Sequence, residues 1–525
     1  MDIILGYFIL LTKFFGLLTY PLLIIHGAIF TPKKTLPPFD NCENCDLLTI
    51  PAVDLAQKIR IGEVKSVDVV KAYINRIEAV NPLINAIVEK NFNQALEMAK
   101  EADSKCKEMD PIYLEEKFPL LGVPVTVKEC LRVAGLRLTL GNYWRRNNRS
   151  TENSKVVDLV LKAGAIPLLV SNTPEFCYSW ETNNLLTGRT LNPYDQRRIP
   201  GGSSGGEGAL LGSGASLIGI GADTGGSIRI PASYNGIFGH KPTVRVVSLE
   251  GTLPDLSTVP KAVEYTQPGP MCRYAKDLPL LLKIMSENNS YLKLDEPVPI
   301  EKIRIFYKKE TGGSQLFLPY MTSEISEMFD DVVQHFRNLG VKPMKFEADM
   351  SEIMEYCSAG CVAVKDIPSI FVDPSGQHKT PNMFLELLKC PFGCSNFSFN
   401  GMFLMMMAKL LSMFLFRHLY RKYIGKFEAL REILATTLGS NGVLLFPSSP
   451  KPALRHHELY FLWYSNFYVF IINMLGFPAT SIPISFSPEG LPIGIQVIAA
   501  PHRDRLCLAV AQHLEKAFGG WKPPK

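Results

Sequence analysis

The chain has 525 residues, 46% of them apolar, and a net charge of +5 at neutral pH. Such a composition excludes a disordered chain and leaves length for a large core, as one big α/β domain or two smaller ones. No basic run exceeds a few residues, which argues against nucleic acid as a partner and leaves only a weak attraction to an anionic membrane surface.

Residues 3–30 are almost all apolar, broken by Lys13, Pro21 and His26. The run from Phe14 to Phe30 is near the lower limit for a spanning helix, about 17 residues. Asp2 ahead of the run and Lys13 inside it do not fit a cleaved signal peptide. Residues 1–30 are therefore expected to be an N-terminal hydrophobic membrane anchor, single-pass (a transmembrane helix) or monotopic, at an endomembrane or lipid droplet. Its orientation stays open. Lys33 and Lys34 favour a cytosolic body, whereas Asn148-Arg149-Ser150, Asn288-Asn289-Ser290 and Asn396-Phe397-Ser398 read as glycosylation sequons, which matter only in a lumen. Residues 31–49 read as a linker, and residues 50–525 as the catalytic domain.

Within that body, Val70, Tyr73, Ile74, Ile77 and Val80 mark one helix face, which Pro82 interrupts, and Ala95, Met98, Ala99 and Ala102 mark a second helix. Leu121–Lys128 reads as a strand, Val156–Ala163 as a helix stopped by Gly164, and Ala165–Val170 as a buried strand. A helix is expected at Gly205–Leu211, strands at Leu217–Ile220 and Ile303–Tyr307, and a helix over 322–338. Met402–Phe416 is a dense apolar run of about 15 residues, too short to span a bilayer. It suits a buried core helix, or a helix that walls a lipid site, with Arg417, Arg421 and Lys422 following at headgroup level. Val443–Phe446 and Phe467–Leu475 return to core patterning. Alternation of this kind gives an α/β fold, a large mixed β-sheet enclosed by helices.

Eleven cysteines are scattered along the chain without convincing zinc spacing, so most are expected to be buried free thiols. His456 and His457 fall in a loop-like stretch and are expected at the surface.

Residues 201–226, GGSSGGEGALLGSGASLIGIGADTGG, are crowded with glycine. A P-loop needs GxxxxGK before Ser or Thr, and that lysine is missing. A dinucleotide fingerprint needs a third glycine that neither Gly206-Glu207-Gly208 nor Gly219-Ile220-Gly221 supplies. Gly201–Gly205 matches GxSxG literally, but a nucleophile elbow follows a strand, and the preceding NPYDQRRIP is polar and turn-forming. Two serines in this region, Ser203 and Ser227, and the upstream Lys128 of GVPVTVKE are the candidate catalytic groups. Serine is a poor nucleophile without a base, and a lysine serves as one only when its amine is unprotonated, which burial beside VPVTV favours. The consecutive amides of Thr224, Gly225, Gly226 and Ser227 can form an oxyanion hole. A base role for His240, in FGHKPT, stays open on chemistry alone but leaves Lys128 and Ser203 without roles. Asp223 and Arg229 flank Ser227 with opposite charge and read as braces of the loop.

GGSSGGEGALLGSGASLIGIGADTGGSIRIPA (201–232) resembles the signature of the amidase signature family. GVPVTVKE, GPMCR (269–273), LGFPATSIPI and GLPIGIQVIA resemble further blocks of it, so the likeness runs from about residue 50 to the C-terminal end. The resemblance implies a Ser–Ser–Lys triad, with Ser227 the nucleophile, Ser203 the bridging proton relay and Lys128 the base. It also implies a cis peptide before Ser203 and an oxyanion hole at Thr224, Gly225, Gly226 and Ser227. No cofactor and no metal are implied. With the apolar N-terminus, the expected function is a membrane-associated serine hydrolase that cleaves fatty acid amides (primary amides, N-acylethanolamines) to free fatty acid plus ammonia or amine. The alternatives are an amidase of shorter acyl amides or an amidotransferase A-type subunit. Expected partners are the acyl amide substrates and membrane lipid, with room for a homodimer.

Overall fold

Short runs rich in Val, Ile and Leu supply the strands of one sheet, seen in a computed structural model. It describes residues 44–257, 259–311, 321–364, 379–412 and 417–525, with 33–39 and isolated positions within 10–31 and 369–376. In chain order the strands are β1 (Ile87–Lys90), β2 (Pro124–Lys128), β3 (Ile166–Ser171), β4 (Ile218–Asp223), β5 (Phe238–Lys241) and β6 (Gln267–Cys272). They continue with β7 (Arg304–Tyr307), β8 (Met344–Lys345), β9 (Gly442–Pro447), β10 (Ala479–Phe486) and β11 (Pro492–Ala499). The spatial order of this 11-stranded sheet is β1-β3-β2-β4-β6-β5-β10-β11-β9-β7-β8.

The sheet is mixed, as expected. Strands β3, β2 and β4 run parallel, as do β9, β7 and β8, and antiparallel pairs join the two groups. Every residue of β2, β3, β4, β6, β9 and β11 is buried. Strands buried on both faces must be covered by helices on both sides, which is why they read as continuous apolar runs.

Expected helices form at Lys155–Lys162, Gly205–Gly212, Ser323–Asn338 and Phe467–Leu475. The first helix face is real, but its helix spans Ser66–Ile84 and runs two residues past Pro82. A proline there forfeits one hydrogen bond in the last turn, and the buried Val80 and Ile84 hold the turn in place. The apolar run after residue 399 forms the helix Phe399–Ser412, in which Met402 is fully buried in the main core. Burying such a side chain contributes about 1.5–3 kcal/mol. Residues 413–416 of that run lie outside the described residues.

The stretch read as a linker is not a free tether. Leu36, Leu47 and Leu48 are buried, and Arg76 Nη1 donates to the Pro37 carbonyl at 2.8 Å. Cys45 is disulfide-bonded, whereas Cys106, Cys130, Cys177, Cys272, Cys390, Cys394 and Cys507 carry free thiols. Most of residues 1–30, where the anchor was expected, lie outside the described residues. Among the described residues no helix is long and apolar enough to cross a membrane.

Candidate active site

Parallel neighbours end at the same edge of a sheet, and that edge is where α/β folds place ligands. Lys128 is the last residue of β2, and the loop Thr224–Ser227 leaves the end of the adjacent β4. Lys128 is 1% exposed, and its Nζ donates to Ser203 Oγ at 2.7 Å and to the Ala222 carbonyl at 3.2 Å. The amine head is thus held between a β4 carbonyl and the first serine.

Ser203 sits just before the helix Gly205–Gly212, behind a cis Gly202–Ser203 peptide. A Cβ at Gly202 would lie 2.7 Å from the Ser179 carbonyl oxygen, so only glycine lets the chain pass there. The Ser204 N–H donates to the Ser227 carbonyl at 3.2 Å and ties the two serine loops together. Ser203 is 2% exposed and Ser227 6%.

The Ser227 loop is built around Asp223. Its carboxylate accepts from the amides of Gly226 (2.6 Å), Ile228 (3.2 Å) and Arg229 (3.4 Å), from Arg229 Nε (3.1 Å) and from Asn473 Nδ2 (2.8 Å). Arg229 extends the network to Gln496 Oε1 at 2.8 Å and to Asn473 Oδ1. Burial pushes the Asp223 carboxyl up, but the charge and hydrogen bonds of Arg229, with Asn473, outweigh it and hold it at about 2. The reading of Asp223 and Arg229 as loop braces matches this geometry. Trp180 Nε1 donates to the Gly225 carbonyl at 2.9 Å, and Gly226 adopts φ +99° with Val469 and Ile230 against its Cα.

One expected oxyanion donor drops out. The Gly226 amide donates to Asp223 Oδ1 at 2.6 Å, so of the four expected donors only Thr224, Gly225 and Ser227 remain as candidates. Thr224 is the half-exposed member of the loop, and its Oγ1 accepts from Thr266 Oγ1 at 3.0 Å.

His240 is not placed to serve Ser227. It lies buried in β5, with Nδ1 on Thr480 Oγ1 at 2.8 Å and Nε2 on Asp504 Oδ1 at 3.2 Å. His456 corrects the surface expectation: it is buried, facing Glu181 Oε1 at 3.1 Å and the Gln196 carbonyl at 2.9 Å. The Glu181 carboxylate buries without protonating because His456 and Arg189 overcome its desolvation.

Several residues near the site escaped the sequence reading. Glu207, in the first turn of the helix Gly205–Gly212, is fully buried and accepts from Thr126 Oγ1 of β2 at 2.6 Å, and burial pushes its carboxyl up to about 7. Glu129, next to Lys128, is likewise raised to about 7 by burial, although Thr139 donates to it from N and Oγ1. Asn473 and Gln496 had a legible signal, since each is the lone amide in an apolar run, FYVFIINML and PIGIQVIA. Buried polar groups survive in such runs only when partnered.

A family model described as amidase matches residues 68–508. Fatty-acid amide hydrolase 2-A of Danio rerio is 41% identical over 520 residues, covering 94% of this chain and 94% of that protein. Fatty-acid amide hydrolase 2 of Homo sapiens is 39% identical over 521 residues, covering 97% of this chain and 96% of that protein. Among solved structures, a fatty acid amide hydrolase superposes with a TM-score of 0.69 at 22% identity, over 91% of this chain and 86% of that one, a likeness of fold.

Proposed function

The chain belongs to the amidase family and is an amide hydrolase, and on that premise we propose that it cleaves fatty acid amides at a membrane surface by a Ser–Ser–Lys mechanism. The observation that carries the mechanism is the buried 2.7 Å hydrogen bond from Lys128 Nζ to Ser203 Oγ, with Ser203's loop tied to that of Ser227.

In this reading the neutral Lys128 amine takes the Ser203 proton while Ser203 takes that of Ser227. Ser227 Oγ attacks the amide carbonyl, and the amides of Thr224, Gly225 and Ser227 stabilise the oxyanion. Losing one such donor typically costs about 3–4 kcal/mol. Lys128 then returns the proton through Ser203 to the departing nitrogen, which leaves as ammonia or amine. Water, activated by the same relay, releases the fatty acid from Ser227.

The fatty acyl class rests on the relatives, whose names carry that substrate. Membrane association rests on two apolar surfaces. Phe14, Leu18, Leu22, Ile25 and Ile29 are exposed at helical spacing, and Phe384, Leu385, Leu388, Phe392 and Phe399 are exposed on the short helix Met383–Lys389, the 3-10 turn that follows it and the start of the next helix. Exposed apolar groups in such numbers mark a surface that meets another phase or partner. A monotopic attachment fits them, since helices lying in an interface need one apolar face and no full span.

The test is hydrolysis of an acyl-amide panel graded by chain length, beside fluorophosphonate labelling of the intact protein and of Ser227→Ala. Preference for long chains, with labelling lost in the variant, is expected. Undiminished labelling of Ser227→Ala would sink the assignment of the nucleophile. Glutamine deamidation that needs added subunits would favour the amidotransferase reading.

A further inference from the structure

One peptide of the loop Thr224–Ser227 is held at both ends, and it is the one whose amide is lost to the substrate. Between Gly225 and Gly226 the N–H donates to Asp223 Oδ1 at 2.6 Å, and the C=O accepts from Trp180 Nε1 at 2.9 Å. A trans peptide is planar, with its N–H and C=O pointing opposite ways, so the two bonds grip it from opposite sides. A glycine stands at each end, and backbone sterics alone leave such a plane nearly free to turn. The two hydrogen bonds set it instead. The peptides on either side carry the amides of Gly225 and Ser227, two of the three candidate donors that remain, so their directions start from this fixed plane.

Trp180 sits on a segment that is itself anchored. The backbone of Ser179 and Trp180 lies against Gly202, where a Cβ would be 2.7 Å from the Ser179 carbonyl oxygen and 3.0 Å from Trp180 Cα. Thr182 Oγ1 donates to the Gly201 carbonyl at 2.9 Å. The Glu181 carboxylate accepts from the His457 N–H at 3.1 Å and faces His456 Nδ1 at 3.1 Å. Residues 179–182 therefore touch the approach to Ser203 with their backbone and the Ser227 loop with an indole. That ring is half-buried and packs on two apolar clusters, one holding Ile199, Ile230 and Val469, the other Phe467 and Ile471. Tryptophan combines such an apolar body with a single N–H donor.

From this geometry we propose that Trp180 is a positioning residue for amide hydrolysis: its ring N–H fixes the Gly225–Gly226 peptide and so aims the amides of Gly225 and Ser227 at the developing oxyanion. The proposal rests on the reading of Thr224–Ser227 as the oxyanion loop. Trp180 bonds to the loop's backbone and not to the reacting atoms. Donors in fixed directions matter most when charge appears on the carbonyl oxygen, and less for the neutral carbonyl of the bound substrate. Loss of the clamp therefore lowers kcat and leaves KM nearly unchanged. The effect is also the same whatever the length of the acyl chain, because the oxyanion is the same.

Two full-length variants are compared with the native enzyme on a short and a long acyl amide: Trp180→Phe, and Trp180 replaced by benzothienylalanine, in which sulfur takes the place of the ring N–H at nearly the same size. Expected is a fall in kcat of about tenfold in both, equal for the two amides, with KM within about twofold. Inhibition by a trifluoromethyl ketone, which a serine nucleophile converts to a hemiketal oxyanion, should weaken by the same factor as kcat/KM. Trp180 replaced by fluorotryptophan, which keeps the N–H, should retain native kcat. The sulfur isostere preserves the packing, so a folding defect in Trp180→Phe is told apart from loss of the donor. Native turnover in the benzothienylalanine variant overturns the proposal. So does a loss that sits in KM and grows with acyl length, which would make Trp180 a wall of the acyl site. Fluorophosphonate labelling separates this from the parent reading. If Ser227→Ala still labels, the nucleophile is misassigned whatever Trp180 does. Labelling lost in Ser227→Ala, beside native kinetics in the benzothienylalanine variant, defeats the positioning role alone.

Discussion

Replacing Arg229 with methionine tests whether the Ser227 loop is held by charge or by packing. In the native protein Asp223 and Arg229 are both fully buried and 3.1 Å apart. The depression of the Asp223 carboxyl from 3.8 to about 2 contributes about 2 kcal/mol to stability. Because the folded value is the lower one, that contribution is present above pH 3.8 and is lost only as pH falls through about 2. Arg229→Met leaves the carboxylate buried with amide donors alone, and breaking a buried pair by removing one partner costs about 3–5 kcal/mol. The variant's carboxyl is then raised by burial, so protonation relieves the penalty. The deficit in unfolding temperature relative to the native protein should therefore be small at pH 4 and grow toward pH 7. Fluorophosphonate labelling of Ser227 should slow in step. Asp223→Asn combined with Arg229→Met should be less destabilised at pH 7 than Arg229→Met alone, since no unpaired charge remains. A deficit that does not change with pH, or a double variant worse than the single, would refute the charge argument in favour of lost packing.

Two other substitutions probe the same edge of the sheet. Glu207, raised from 4.5 to about 7 by burial, contributes stability in full below pH 4.5 and loses it as pH rises to about 7, so Glu207→Gln should gain on the native protein between pH 4.5 and 7 by up to about 3 kcal/mol and no further above it, and parallel unfolding curves would refute this. Gly226→Ala places a Cβ 2.3 Å from Val469 Cγ2 at φ +99° and should cost about 2–4 kcal/mol, part of which Val469→Ala in the same chain should restore.

Local order was legible because it is written locally. The period of Val70, Tyr73, Ile77 and Val80, the apolar run ending at Lys128 and the glycines of 201–226 each declare an element or a loop from neighbouring residues alone. What brings those loops into register is contributed from far away. Asp223 meets Asn473, and Arg229 meets Gln496, across separations of 250 and 267 residues. His456 is buried by Glu181, 275 residues upstream. Pattern tells that a buried polar group needs a partner but not which one. Strand β6, QPGPMC, was also hidden, because prolines speak against a central strand. Its neighbour β5 pairs with it only at Met271 and Cys272, beyond both prolines.

That long-range wiring also bears on which serine attacks. Ser203 carries the literal GxSxG match, yet its hydroxyl is spent on Lys128 and only 2% of the residue reaches solvent. A nucleophile must meet its substrate and have oxyanion donors beside it. Ser227 ends the run Thr224-Gly225-Gly226-Ser227, whose first residue is half-exposed. Ser203, behind the Ser227 loop and bonded to the amine, fits the transfer of protons between the two. The glycines around Ser203 therefore have a packing reason, since a Cβ at Gly206 would lie 2.5 Å from the Asn172 nitrogen. They bring a helix start close to the sheet so that Lys128 and a hydroxyl can meet, which is a different task from exposing a nucleophile on an elbow.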